Sequence, residues 1–235
     1  MRNLVFGPDA KFEKSLGYCV AALEADGHRP REKLVYVAHG TPGPMVARFA
    51  LRNDRTLFLF VFRHTVTAGP DAGEPCQVKA VPHRAFEGLG WECPHILREM
   101  DRAEEISFDP VSQIVMDNWF SGRVALVGDA ACAVSFLAAE RAGLAMVQAY
   151  VLAGELARAN GDHREAFRRY QQLLRPLVEA KQRSARTFAW AFAPSTSLGL
   201  WTRDQASKLL NIPQLGDWII RREFRDDIEL PDYAT

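Results

Sequence analysis

One stretch of the chain combines residue types at spacings that could do chemistry: Gly122 to Leu156, GRVALVGDAACAVSFLAAERAGLAMVQAYVLAGEL. It reads as a compact apolar strand over 123–131 that stops at Gly128-Asp129. A loop of small residues follows, and then a long run of helix formers. Ligands of open α/β sheets bind beyond the carboxyl ends of strands. An aspartate placed there accepts hydrogen bonds from sugar or polyol hydroxyls. The start of the next helix offers free N–H groups and a positive dipole end, which suit an anionic ligand group. Spacing alone serves a plainer reading equally well, in which Asp129 caps a turn and the small residues only pack closely.

The elements that must position this segment lie on both sides of it. Upstream, 18–25, 33–40, 45–52 and 56–63 are β-branched or aromatic runs bounded by turn formers, a strand signature. Their connections are short, which favours antiparallel neighbours, and Asn53-Asp54 between two apolar runs signals a hairpin. A Gly- and Pro-rich stretch at 65–76 reads as a loop or linker. Helical patterns follow at 83–91 and 94–103, then another strand within 106–119 and a turn at 117–122. Downstream, 144–159 is helical with an apolar stripe through Leu144, Val147, Val151 and Leu152. Residues 164–193 carry a second helical face of Phe167, Tyr170, Leu174, Leu177 and Val178, which Pro176 should kink or divide. Shorter helices are expected around 201–210 and 215–222, before an acidic extended tail.

Composition sets outer bounds. The chain has 235 residues, 48% of them hydrophobic, and 29 basic residues balance 29 acidic ones. This is a globular composition with no net field to draw nucleic acid or an anionic membrane. No apolar run approaches the roughly 18 residues of a membrane span, since Phe58–Phe62 is bracketed by Arg55 and Arg63. The first residues lack the apolar core of a secretory signal. Cys19, Cys76, Cys93 and Cys132 are scattered without a C-x-x-C pair, so reduced buried thiols and a cytoplasmic location are expected. Cys93 and His95 have no second pair at metal spacing, and no Gly-x-Ser-x-Gly elbow marks a hydrolase. The arginines of 164–186 are read as a solvated or internally paired face. Phe58, Phe60 and Phe62 alternate onto one face of a strand; such a stripe is most often core.

The wording of the Gly122–Leu156 segment goes further than its spacing. GRVALVGDAA and AYVLAGELA resemble the second flavin motif of the para-hydroxybenzoate hydroxylase class of FAD-dependent monooxygenases, and the whole chain resembles the C-terminal part of such an enzyme. The resemblance implies a mixed α/β, α+β fold: a substrate-domain sheet with short helices over 1–120, then the C-terminal part of an FAD-binding domain with a helical tail over 121–235. It implies that Asp129 holds the ribityl hydroxyls of FAD and that Gly128 lets the backbone approach. The backbone of Ala142 and Gly143 would face the N1–C2 carbonyl edge of the flavin. In this family's sheet Phe58, Phe60 and Phe62 could also wall a pocket for a flat aromatic substrate; Arg48 and His39, on sheet strands, are candidate polar pocket groups that could equally face solvent. Phe136 and the run Ala138-Ala139-Glu140-Arg141 depart from the family pattern, and Cys132 stands where the family has His.

A second departure is an absence: the sequence contains no G-x-G-x-x-G to bind the ADP pyrophosphate. The expectation is therefore an N-terminally truncated FAD-dependent monooxygenase. It would hydroxylate an aromatic or polyketide-like small molecule with NAD(P)H and O2, as a homo-oligomer or completed by a chain bearing the missing half. The alternative is a non-redox remnant that binds a hydrophobic small molecule or a partner chain.

Overall fold

The computed structural model describes residues 1–27, 36–63, 75–134, 141–210 and 229–233. These fall into two compact units that interleave along the chain: Met1–Leu16 with Ser112–Phe188 and residues 229–233, and Gly17–Val111 with residues 189–210. The change of unit falls after Val111, and the first residues join the later unit.

The sheet unit is built from hairpins. Its five-stranded sheet has the order β2-β3-β4-β1-β5, with β1 at Glu13–Asp26, β2 at Tyr36–Gly40, β3 at Met45–Ala50, β4 at Arg55–Arg63 and β5 at Ser107–Ile114. β4 pairs antiparallel with β3 and β3 with β2, as their short connections require, and β1 pairs antiparallel with β4 from farther along the chain. At the β3–β4 turn, Asn53 and Asp54 both have positive φ, 61° and 60°. That backbone twist matches the strands' own right-handed twist, so the turn fixes the register Ala50↔Thr56. Two helices complete the unit's described core, α2 at Pro75–Phe86 and α3 at Cys93–Arg102. Pro75 and Cys76, expected in the loop, instead open α2; residues 64–74 lie outside the described residues.

Register assigns one sheet face to the core. Cys19, Ala21 and Leu23 of β1 lie level with Phe62, Phe60 and Phe58 of β4. The three rings are 0–1% exposed and pack with Phe86, Ile96, Leu97 and Met100 of the helices. Phe86 meets Phe60 and Phe62 edge-on, at centroid distances of 5.1 and 6.1 Å.

The helical unit begins with α1 at Arg2–Val5 and continues with a tight hairpin of β6, Phe120–Ser121, and β7, Val124–Ala125. The strand expected over 123–131 is thus two residues long. A strand exists only where a neighbour accepts its ladder, and β6 pairs with these two residues alone. Beyond β7 the Leu126 carbonyl accepts the Tyr170 hydroxyl at 3.0 Å instead. Then α4, Asp129–Cys132, begins at Gly128-Asp129, where the strand was expected to stop.

Two long helices follow, α5 at Arg141–Arg158 and α6 at His163–Phe192. Their apolar stripes meet as read from periodicity: Leu144 and Val151 of α5 share a core with Tyr170, Leu174 and Val178 of α6. α6 is not divided at Pro176. Proline removes one ladder donor, and the buried residues on both sides of it hold the helix together. Gln182 and Gln113 brace α6 further: Gln182 donates to the Ile114 carbonyl at 2.8 Å and Gln113 to the Gln182 carbonyl at 2.9 Å. The last helix, α7, spans Ser197–Leu210; the helix expected at 215–222 lies outside the described residues.

Candidate flavin site

The Gly128–Asp129 turn is held from three sides. Gly128 has φ 64° and ψ −141°, a conformation essentially reserved for glycine. A methyl group there would also sit 3.2 Å from the Cβ of Ala145 in α5. Conformation and space independently demand glycine. The Gly128 carbonyl accepts the N–H groups of Ala131 and Cys132, both at 3.0 Å, which closes α4 into a single turn. Arg2, ion-paired with Asp9 at 2.8 Å, donates to the carbonyls of Asp129 and Ala130 at 3.2 and 3.1 Å.

The third restraint is Gln148. It lies within the buried stripe of α5 and is itself 0% exposed. Its Oε1 accepts the Gly128 N–H and its Nε2 donates to the sulfur of Cys132. Burial pushes the Cys132 thiol up to about 11, more than the Gln148 hydrogen bond lowers it, so it stays protonated at neutral pH.

Of the residues read from sequence, Gly128 and Asp129 stand together at this turn, with Asp129 exposed. Ala142 and Gly143 are exposed in the first turn of α5, where backbone N–H groups have no partner within the helix. Among the described residues, nothing beyond its own helix backbone and chain neighbours lies within 4 Å of a Cβ placed on Gly143. Phe136 and residues 138–140 lie outside the described residues, as does the side chain of Arg141.

The other candidates sit in the sheet unit. Phe58, Phe60 and Phe62 have their faces taken up by the core just described. His39 and Arg48 converge on Trp91, His39 stacking at 5.4 Å and the Arg48 guanidinium lying 5.8 Å from the ring centroid. Arg48 is 6% exposed and pairs with Glu92 at 3.4 Å; its Nε has no hydrogen-bond partner among the described residues. The basic face of α6 is internally paired: Glu165 with Arg168 and Arg169, Glu179 with Arg175 and Arg183. Hydrogen bonds from those first two arginines lower the Glu165 carboxyl below its usual range. Among the described residues no His, Cys, Asp and Glu group could hold a metal, and no helix is long and apolar enough to cross a membrane.

Sequence reasoning passed over Gln148 and Arg2. For Gln148 a signal was present: it is a polar residue four after Leu144 and three before Val151, inside an apolar stripe. Arg2 gave none, because the carbonyls it holds lie more than 120 residues away.

No protein-family model matches the chain. A flavin-dependent monooxygenase from an unknown prokaryotic organism is 34% identical over 183 residues, covering 77% of this chain and 46% of its own length. The FAD-dependent monooxygenase asL4 of Sarocladium schorii is 30% identical over 182 residues, covering 68% and 42%. This chain is related to the flavin-dependent monooxygenases. The crystal structure of tetracycline destructase Tet(55) superposes with a TM-score of 0.76 at 27% identity, over 94% of this chain and 56% of the destructase. The α+β architecture is therefore that of known folded proteins, and the resemblance read in GRVALVGDAA and AYVLAGELA stands. The chain spans about half the length of the monooxygenases it matches.

Proposed function

We propose that this chain is the flavin-holding part of an FAD-dependent monooxygenase. The assembled enzyme would insert an oxygen atom from O2 into an aromatic or polyketide-like small molecule, with NAD(P)H as reductant, in the cytoplasm. The observation that carries this reading is the Gly128–Asp129 turn set beside α5. Its residues fit the group: a carboxylate for polyol hydroxyls, a backbone bare of side chain, and helix N–H groups for a carbonyl edge. Asp129 accepts hydrogen bonds from the ribityl hydroxyls, and Gly128 lets the cofactor approach. The N–H groups of Ala142 and Gly143 meet the polar edge of the ring system, where the positive end of α5 steadies negative charge. When bound, FAD supplies the electron transfer and oxygen activation, and the protein supplies binding and electrostatics. Phe58, Phe60 and Phe62 shape the substrate sheet from within its core.

The sequence has no G-x-G-x-x-G, so the ADP end of FAD needs a polypeptide that complements this one, continuous with it or separate. The outer face of α5 supports that requirement. Ala142, Gly143, Met146, Ala149, Tyr150 and Ala153 are exposed at helical spacing with no charge among them, Met146 at 69%. The second reading is a non-redox remnant that binds a hydrophobic small molecule or a partner chain. It is favoured by the missing motif and the altered Ala138–Arg141 run.

The deciding experiment is an absorbance spectrum of the purified chain before and after addition of FAD and removal of the excess. Retained flavin bands, lost in Asp129→Ala, are the expected result. Flavin affinity unchanged in Asp129→Ala would remove the site assignment, and a wild-type chain that stays colourless would favour the remnant.

A further inference from the structure

We propose that Gln148 is the positioning residue of the Gly128–Asp129 turn, clipping both ends of α4 through one side-chain amide. This rests on the reading of the turn as the polyol subsite and assigns the residue that holds that subsite in shape. A glutamine at 0% exposure within an apolar stripe is costly unless both ends of its amide are satisfied. Here both are, and both partners belong to the same short element. The Gly128 N–H is the residue that caps α4, and the Cys132 sulfur belongs to its last residue.

The element needs such a clip. A four-residue helix cannot sustain itself by propagation. The glycine before it occupies a sparsely populated conformation, which persists only when its surroundings over-determine it. Arg2 holds the carbonyl side of the turn and the Ala145 methyl closes one flank. Gln148 fixes the amide side, and with it the direction in which Asp129 leaves the turn. The protonated thiol of Cys132 accepts the amide N–H and keeps a proton of its own to donate.

The test uses the full chain and two readouts: hydrogen exchange of the Gly128 amide by NMR, and FAD affinity by titration. Gln148→Met keeps the volume and removes both hydrogen bonds. Gln148→Glu keeps an acceptor for the Gly128 N–H, and its second oxygen accepts a hydrogen bond from the Cys132 S–H. In the Met variant, Gly128 exchange should speed up and FAD affinity should fall, each about tenfold. In the Glu variant both should stay within about threefold of wild type. Gln148→Asn, which keeps the amide but shortens its reach, is read in the same direction should the Met variant fail to fold. Unchanged Gly128 exchange in the Met or Asn variant overturns the clip. Faster exchange with unchanged FAD affinity overturns the positioning role. A wild-type chain that takes no FAD defeats the polyol reading alone, and amide exchange still decides the clip.

Discussion

The two units solve the same problem, backbone satisfaction, in opposite ways. In the sheet unit β2, β3 and β4 pair as consecutive hairpins, β1 lies along β4, and the aromatic face of β4 is covered by α2 and α3 from the same unit. In the helical unit the segment expected to form a buried strand supplies only two ladder residues. Four backbone groups beyond them are met by side chains from far along the chain: the Leu126 carbonyl by Tyr170, the Gly128 N–H by Gln148, and the Asp129 and Ala130 carbonyls by Arg2. Backbone ladders tolerate most substitutions, whereas a turn held by single side chains does not. The difference teaches where each unit should be fragile: the sheet unit in its core volume, the helical unit in its long-range polar contacts.

The largest expected effect lies in the core. Phe60→Ala removes a ring that is 1% exposed and edge-packed on Phe86, and should cost about 3–5 kcal/mol in denaturant unfolding. A loss under about 1 kcal/mol would mean that the stripe lines open space and not a packed interior.

Next comes the strained turn. Gly128→Ala forces a side chain into φ 64° with a 3.2 Å contact to Ala145 and should cost about 1–3 kcal/mol. FAD affinity should fall with it. Equal stability of variant and wild type in thermal unfolding would break the contrast between the units.

A comparable effect should appear at alkaline pH. Burial raises the Cys132 thiol from its ordinary 9.0 to about 11, so the folded state holds its proton where the unfolded state has released it. Stability from this group is complete below about pH 9 and declines as pH rises to about 11, by roughly 1–3 kcal/mol in all. Cys132→Ala should flatten that limb of a stability–pH curve, and an unchanged slope would show that the thiol is not held protonated.

The smallest effect is at the hairpin. Asp54→Gly suits the positive φ of 60° at the second turn position and should stabilise the sheet unit by a few tenths of a kcal/mol, read as a small rise in denaturation midpoint. Destabilisation would show that Asp54 contributes more through its side chain than through its backbone conformation.

How much was legible in the sequence follows from how local each cause is. Asn53-Asp54 announced the β3–β4 hairpin because turn chemistry acts within four residues. The stripes of α5 and α6 were legible because a helix satisfies its own backbone, so periodicity alone selects it. The strand expected over 123–131 was misjudged for the converse reason: a strand's length is set by its neighbour. The position of Gly128 and Asp129 at a turn before a helix was legible from residue type.

By itself, then, the sequence determined the β2–β3–β4 hairpins and the two long amphipathic helices. Each rests on contacts within a few residues or on a period intrinsic to one element. Only the tertiary structure decided that Phe58, Phe60 and Phe62 pack into the core, that Pro176 leaves α6 whole, that β7 stops at Ala125, and that Gln148 and Arg2 converge on the Gly128–Asp129 turn. These outcomes depend on partners distant in sequence, and one-dimensional patterning carries no record of which polar side chain will meet an unpaired backbone group.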